Sequence, residues 1–304
     1  SPMTSLKSHS AQKSKTAKEL YDLGIIYFNG RNGLEKNEKK AFHFFQLAAD
    51  GGHINAQYDL GLCYLEGRGT EKNFQEAIEY LKLAADEGHA SAQCSVGVRY
   101  LKGEGREKNA HKAVKYFKMA VANANAEAQF NLGLCYLKGE GIEKNEKKAE
   151  ELFRLASKQG NAEAQCLLGT RALKGEHKDF YKAVELLHQA ANQNHDQAQY
   201  MIGRCYYYGK GVEKNFKRAV EYLQRSANQG NTSAQNALGH CLLVGDGITK
   251  NEQAAFDLFQ QAAERGNEQA QVNLAQCYFK GYGVSLNEKK GFECLHCAAK
   301  AGNA

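Results

Sequence analysis

Only a few groupings in this chain have the residue types and spacing that chemistry would need. Cys294-Leu-His-Cys297 sets two thiols three residues apart with an imidazole between them, the spacing of dithiol redox centres and of half a zinc site. Gly209-Lys210, lying among many Gly-x-Gly pairs, has letters in common with a phosphate-cradling loop, but no strand precedes it and these read as loop glycines. Tyr200, Arg204, Tyr207 and Tyr208 gather residue types that anchor many interfaces. None of these completes a catalytic set. G-x-x-x-x-G-K-[ST], G-x-S-x-G and H-E-x-x-H are all absent, and no second ligand pair accompanies the two cysteines. The sequence therefore predicts no enzyme, no cofactor and no metal.

The elements that carry these residues follow from a repeat. AQYDLGLCYLEGRGTEKN at Ala56 returns as AQFNLGLCYLKGEGIEKN at Ala128, with further copies starting at Ala92, Ala164, Ala198, Ala234 and Ala270. The period is 36 residues apart from one step of 34, and a degenerate first copy begins at Glu19. Eight units result: 19–55, 56–91, 92–127, 128–163, 164–197, 198–233, 234–269 and 270–304. Within a unit, Ala56, Leu60 and Tyr64 make an apolar stripe with helical spacing, the first helix, A. Gly61 beside it lets a second helix approach closely. Gly67 and Gly69 end helix A, and Asn73 caps helix B, whose core positions are Ala77, Ile78, Leu81, Ala84 and Ala85, with Gly88 as its stop. One such hairpin cannot bury both faces, so neighbours must stack into an all-α αα-superhelix, a solenoid of helix-loop-helix repeats.

The pattern A-x-x-x-L-G-x-x-Y-x-x-G-x-G, a polar Asn, then A-x-x-x-L-x-x-A-A-x-x-G resembles the SLR (Sel-one-like repeat) family, relatives of tetratricopeptide repeats with a longer loop. The resemblance covers nearly the whole chain. It implies superhelices that serve as adaptors and scaffolds, in eukaryotic quality-control complexes and in bacterial signalling or host-interaction proteins, with no common ligand. Secreted cysteine-rich relatives bridge helix A to helix B, but here helix B carries Cys only in the final unit. Cys63, Cys135, Cys205, Cys241 and Cys277 sit on the core side of helix A, where a small apolar group is wanted. Cys294 and Cys297 fall at the places of Tyr80 and Leu83 on an ordinary helix B. Two departures stand out. The loop Gly175-Glu176-His177-Lys178-Asp179 is short and lacks its second Gly, either a tolerated deletion or a change of curvature. The chain also stops at Ala304 without a polar capping helix, which leaves a binding or end-to-end dimer surface there, or a longer natural protein.

Charge narrows the partner. The net charge is +6, but residues 1–18 contribute four lysines and no acid, leaving 36 basic against 34 acidic groups, or +2, for the repeats. Residues 1–18 are expected to be a disordered basic tail. No apolar run approaches the roughly 20 residues that span a bilayer, so a soluble protein without membrane insertion is expected. Nine cysteines without a pairing scheme favour a reducing compartment, cytoplasmic or the cytosol of a host cell.

Positions that the repeat leaves free should carry function. If helix A lines the inner curve, as the resemblance implies, the exposed positions are those of Tyr58, Leu62, Leu65 and Glu66. The Tyr58 row runs Tyr21, Tyr58, Cys94, Phe130, Cys166, Tyr200, Asn236 and Val272, and the Leu62 row ends in Thr170, Arg204, His240 and Gln276. The face passes from apolar to polar along the chain. Partner-binding candidates are Tyr21, Tyr58, Phe130, Tyr200, Arg204, Tyr207, Tyr208 and His240, with Tyr207 alternatively a packing residue. Arg99 and Arg171 replace the core-side Cys where Cys94 and Cys166 replace the inner aromatic, as structural ion pairs or ligand contacts. The expected function is a protein-binding adaptor, scaffold or regulator, mostly monomeric, one version being a bacterial protein acting on a host factor or restraining a partner enzyme. Nucleic-acid binding is the alternative, disfavoured because successive inner positions lack Lys and Arg.

Overall fold

A computed structural model describes residues 15–174 and 179–301. Among these residues it contains sixteen α-helices and no strand, arranged as an all-α solenoid of eight helix-loop-helix repeats. The chain divides into two compact units, Ser1–Leu152 and Phe153–Ala304. Unit 1 holds α1 (Ala17–Asn29), α2 (Glu38–Asp50), α3 (Ile54–Glu66), α4 (Phe74–Asp86), α5 (Ala90–Lys102), α6 (Ala110–Ala122) and α7 (Ala126–Lys138). The division falls within α8 (Glu146–Lys158). Unit 2 continues with α9 (Ala162–Lys174), α10 (Phe180–Asn192), α11 (Asp196–Tyr208), α12 (Phe216–Asn228), α13 (Thr232–Val244), α14 (Glu252–Glu264), α15 (Glu268–Lys280) and α16 (Glu288–Ala301). Odd-numbered helices are the A helices and even-numbered ones the B helices.

The repeated residues build each hairpin in turn. Helix α3 ends where Gly67 enters the left-handed region, at φ 73°, and donates its N–H to the Cys63 carbonyl at 2.8 Å. Asn73 then joins the two helices. Its N–H donates to the Tyr64 carbonyl at 2.9 Å, while its Oδ1 accepts from the amides of Gln75 and Glu76 that open α4. Ala77, Ile78, Leu81, Ala84 and Ala85 form the fully buried face of α4. A Cβ on Gly61 would lie 2.7 Å from Leu81 Cγ, so the missing side chain sets the separation of the two helices. The second loop glycine joins repeat to repeat: at Gly105, φ +71°, a Cβ would sit 2.6 Å from the Phe74 carbonyl of the preceding helix B.

A buried amide adds a second tie that the sequence pattern did not explain. Gln93, Gln165 and Gln199 each donate Nε2 to a carbonyl near the end of the preceding helix B, at Ala85, Ser157 and Ala191. Each of those carbonyls already accepts a turn bond, from the N–H of Gly88, Gly160 or Asn194, so the Gln that follows the repeat's first Ala supplies a second donor there and ties the helix end to the next hairpin.

Three expectations need correction. Leu65 is 8% exposed because it packs into a cluster with Val96 and Tyr100 of the following repeat. Cys94 and Cys166, counted with the inner aromatics, are buried, since their small side chains sink between helices; Cys94 Sγ accepts from Asn131 Nδ2 at 3.8 Å. Residues 17 and 18, assigned to the tail, belong to α1, which starts at a capping box between Thr16 and Glu19. The rest of the tail through residue 14, the shortened loop at 175–178 and the final residues 302–304 lie outside the described residues.

Candidate functional site

The A helices of unit 2 bring several polar residues to one place. Tyr200, Arg204 and Tyr208 recur every four residues along α11 and therefore share a face. The Arg204 guanidinium lies 5.7 Å from the ring of each tyrosine, a cation-π arrangement on both sides. Tyr207 is half-buried and fixed: its hydroxyl donates to Asp246 at 2.6 Å and its ring meets Phe216 edge-on at 5.0 Å. Burial, followed by the Asp246 carboxylate, pushes the Tyr207 phenol above its ordinary pKa, so it remains a donor. Tyr207 thus fulfils the packing role, with its ring 6.5 Å from that of His240 on α13. Together with Ser233, Asn236, Gln269 and Asn273, these residues line a cavity of about 440 Å3 across α11, α13 and α15.

The candidates in unit 1 are placed differently. Tyr21 donates its hydroxyl to Asp59 at 2.9 Å and stacks on His53 at 4.4 Å; Tyr58 stacks on His89 at 4.5 Å. His53 and His89 are themselves helix caps, accepting through Nδ1 from the amides of Ala56 and Ala92. The carboxyl of Asp59 is pushed up by burial, against the lowering effect of the Tyr21 hydroxyl. Next to it, Ile25, Phe28, Leu62 and Arg68 line a cavity of only about 80 Å3. Phe130 is half-buried on α7, within unit 1 but outside both groups.

Arg99 and Arg171 are half-buried. Arg99 pairs with Glu104 of its own loop, with side-chain exposures of 17% and 31%, and Arg171 lies 5.3 Å from the Phe153 ring. The arginine in the core-side row is therefore held within the protein in both cases. Burial pushes the Cys63 and Cys94 thiols up to about 12 and those of Cys135, Cys205, Cys241 and Cys277 up to about 11, leaving almost no thiolate near neutrality. Cys294 is half-buried and Cys297 exposed, and among the described residues no three His, Cys, Asp or Glu side chains gather as a metal site.

The repeat skeleton that positions these residues is matched eight times by the model of the Sel1 repeat, at residues 20–53, 54–89, 90–125, 126–161, 162–195, 196–231, 232–267 and 268–303. The chain belongs to the Sel1 repeat family. Among solved structures it is similar to a protective antigen of uropathogenic Escherichia coli that displays an SLR fold, with a TM-score of 0.70 and 30% identity over 94% of this chain. The chain spans 62% of that protein's length. It is also similar to a Sel1 repeat protein from Oxalobacter formigenes, with a TM-score of 0.69 and 31% identity, over 80% of this chain and 96% of that one. An immunity protein from Pseudomonas aeruginosa shares the fold at 19% identity and a TM-score of 0.50, over 72% of this chain and 82% of its own. No curated protein sequence matches. Sel1 repeat proteins generally mediate protein–protein interactions, and their solenoid is typically a non-catalytic scaffold. No described helix is long and apolar enough to cross a membrane.

Proposed function

We propose that this Sel1 repeat chain is a non-enzymatic adaptor that holds a partner polypeptide in the cavity across α11, α13 and α15. The observation that carries this reading is Arg204, exposed at the cavity and braced between Tyr200 and Tyr208. A guanidinium held flat by two rings has lost most of its rotamer freedom before any partner arrives, so less entropy is spent on binding. Tyr and Arg in a recess are also the side chains that most often dominate interface energies. Tyr21 and Tyr58, by contrast, serve to stack the repeats of unit 1 and are secondary as contacts.

Capture from source-cell extract, comparing the unaltered chain with an Arg204→Ala/Tyr208→Ala variant, tests the proposal. A protein held by the former and reduced about tenfold by the variant is expected, while both retain the same unfolding midpoint. Equal retention would remove the cavity from the account, and recovery of nucleic acid in place of protein would remove the adaptor role.

A further inference from the structure

The polar atoms that the cavity leaves unused identify the kind of segment it takes. No Asp or Glu lines it, whereas Arg204 does. Asp246, the carboxylate tied to this group, is engaged by Tyr207. A smaller recess of about 120 Å3 continues from Arg204 and Tyr208 and adds Lys174 and Lys210, again without an acid. Lys210 Nζ lies 5.6 Å from the Tyr208 ring, so Arg204 and Lys210 both bear on that ring. Arg204, Lys174 and Lys210, three cations at one end of a recess without a carboxylate partner among the described residues, make a field that attracts anions and repels cations.

The other end speaks to the backbone. Asn273 Nδ2 donates to Asn236 Oδ1 at 2.8 Å. That bond leaves the Asn236 amide hydrogens and the Asn273 carbonyl oxygen to face a ligand, one donor and one acceptor. A peptide group offers the complementary pair, and only an extended chain has both free, because a helix satisfies its own N–H and C=O groups. A nucleic-acid strand would need cations repeated along its path, and α13 and α15 place none in the cavity.

We infer that the cavity receives an extended, acidic segment of the partner protein, with carboxylates on Arg204, Lys210 and Lys174 and a peptide group on the Asn236–Asn273 pair. The inference rests on the cavity being the partner site. A carboxylate meets the guanidinium fork with two parallel hydrogen bonds, which the flanking rings keep aligned.

The test uses the full chain and a degenerate twelve-residue peptide library carrying an N-terminal benzophenone, photo-captured and sequenced. Captured peptides should be enriched about threefold or more in Asp and Glu over the input, with the enrichment reduced in Arg204→Gln, where two lysines remain, and lost in Arg204→Glu. Asn236→Leu should lower total capture without changing the acidic preference, and unfolding midpoints exclude variants that fail to fold. Capture that depends on Tyr208 but shows a neutral or basic preference would overturn the acidic inference and leave the cavity as the binding site. Capture indifferent to Tyr208→Ala and Arg204→Glu would overturn both. Displacement of the peptides by oligodeoxythymidylate at lower concentration than by a Glu-rich peptide would assign the cations to nucleic acid and also sink the inference.

Discussion

In unit 1, Tyr21 gives its hydroxyl to Asp59 and its ring to His53, and Tyr58 gives its ring to His89. In unit 2 the residue one repeat beyond Tyr200 is Asn236, tied to Asn273 by one of its amide atoms only, and Arg204 is braced by rings with no carboxylate partner among the described residues. The two regions share one skeleton of glycines, capping asparagines and buried Gln residues. What differs is how much hydrogen-bonding capacity and charge remains unspent on the A helices. A repeat can therefore invest the same positions either in stacking its neighbours or in meeting a partner.

The comparison breaks if the skeleton is not shared, and the largest expected effect tests that. Gly105→Val in unit 1 and Gly247→Val in unit 2 each force a branched side chain into left-handed backbone against a carbonyl group of the preceding helix B. Each should cost more than about 3 kcal/mol, read as a fall in the urea midpoint. Unequal losses would mean that the units stack by different means.

The next effects should separate the two regions. Tyr21→Phe leaves the Asp59 carboxyl without its donor and should cost about 1–3 kcal/mol of stability while partner affinity stays unchanged. Arg204→Ala should do the reverse, weakening partner binding about tenfold, or about 1.4 kcal/mol, with an unfolding midpoint close to that of the parent chain. A binding loss from Tyr21→Phe that matches the one from Arg204→Ala would erase the distinction.

A smaller effect concerns pH. Burial lowers the pKa of His89, whose Nδ1 must stay unprotonated to accept from Ala92. Its folded value lies below its unfolded value, so the unfolded chain binds the proton first. The capping contribution is complete above the ordinary His range and is lost as pH falls toward the lowered folded value. About 1 kcal/mol should disappear over that interval and be retained in His89→Asn, measured by urea titration at a series of pH values. The smallest effect is a gain. Ala124 occupies left-handed backbone at φ 55° where Gly52 and Gly88 stand in other repeats, so Ala124→Gly should raise stability by about 0.5 kcal/mol.

Much of this was legible because the repeat states each rule several times. Gly61 and its equivalents, the Asn caps and the Ala-rich face of helix B are local features, and their spacing already contains their geometry. Leu65 was misplaced because what covers it comes from the next repeat, which single-helix periodicity does not represent. The buried Gln residues were visible as a recurring letter, but their acceptors lie eight residues upstream on another helix. Tyr21 illustrates the same limit across 38 residues, since nothing near it announces Asp59. The group on α11 could be read directly, because residues 200, 204 and 208 are neighbours by helix geometry alone. Its extension to Asn236 and Asn273 needed the register between repeats.

The central claim is that the A helices of unit 2, rather than those of unit 1, carry the partner. Photo-crosslinking tests it most directly, with benzoylphenylalanine placed singly at position 240 on α13 or position 62 on α3 and the chain exposed to source-cell extract. The account predicts a partner adduct from position 240 and little from position 62. An adduct from position 62 alone, or equal adducts from both, would contradict it.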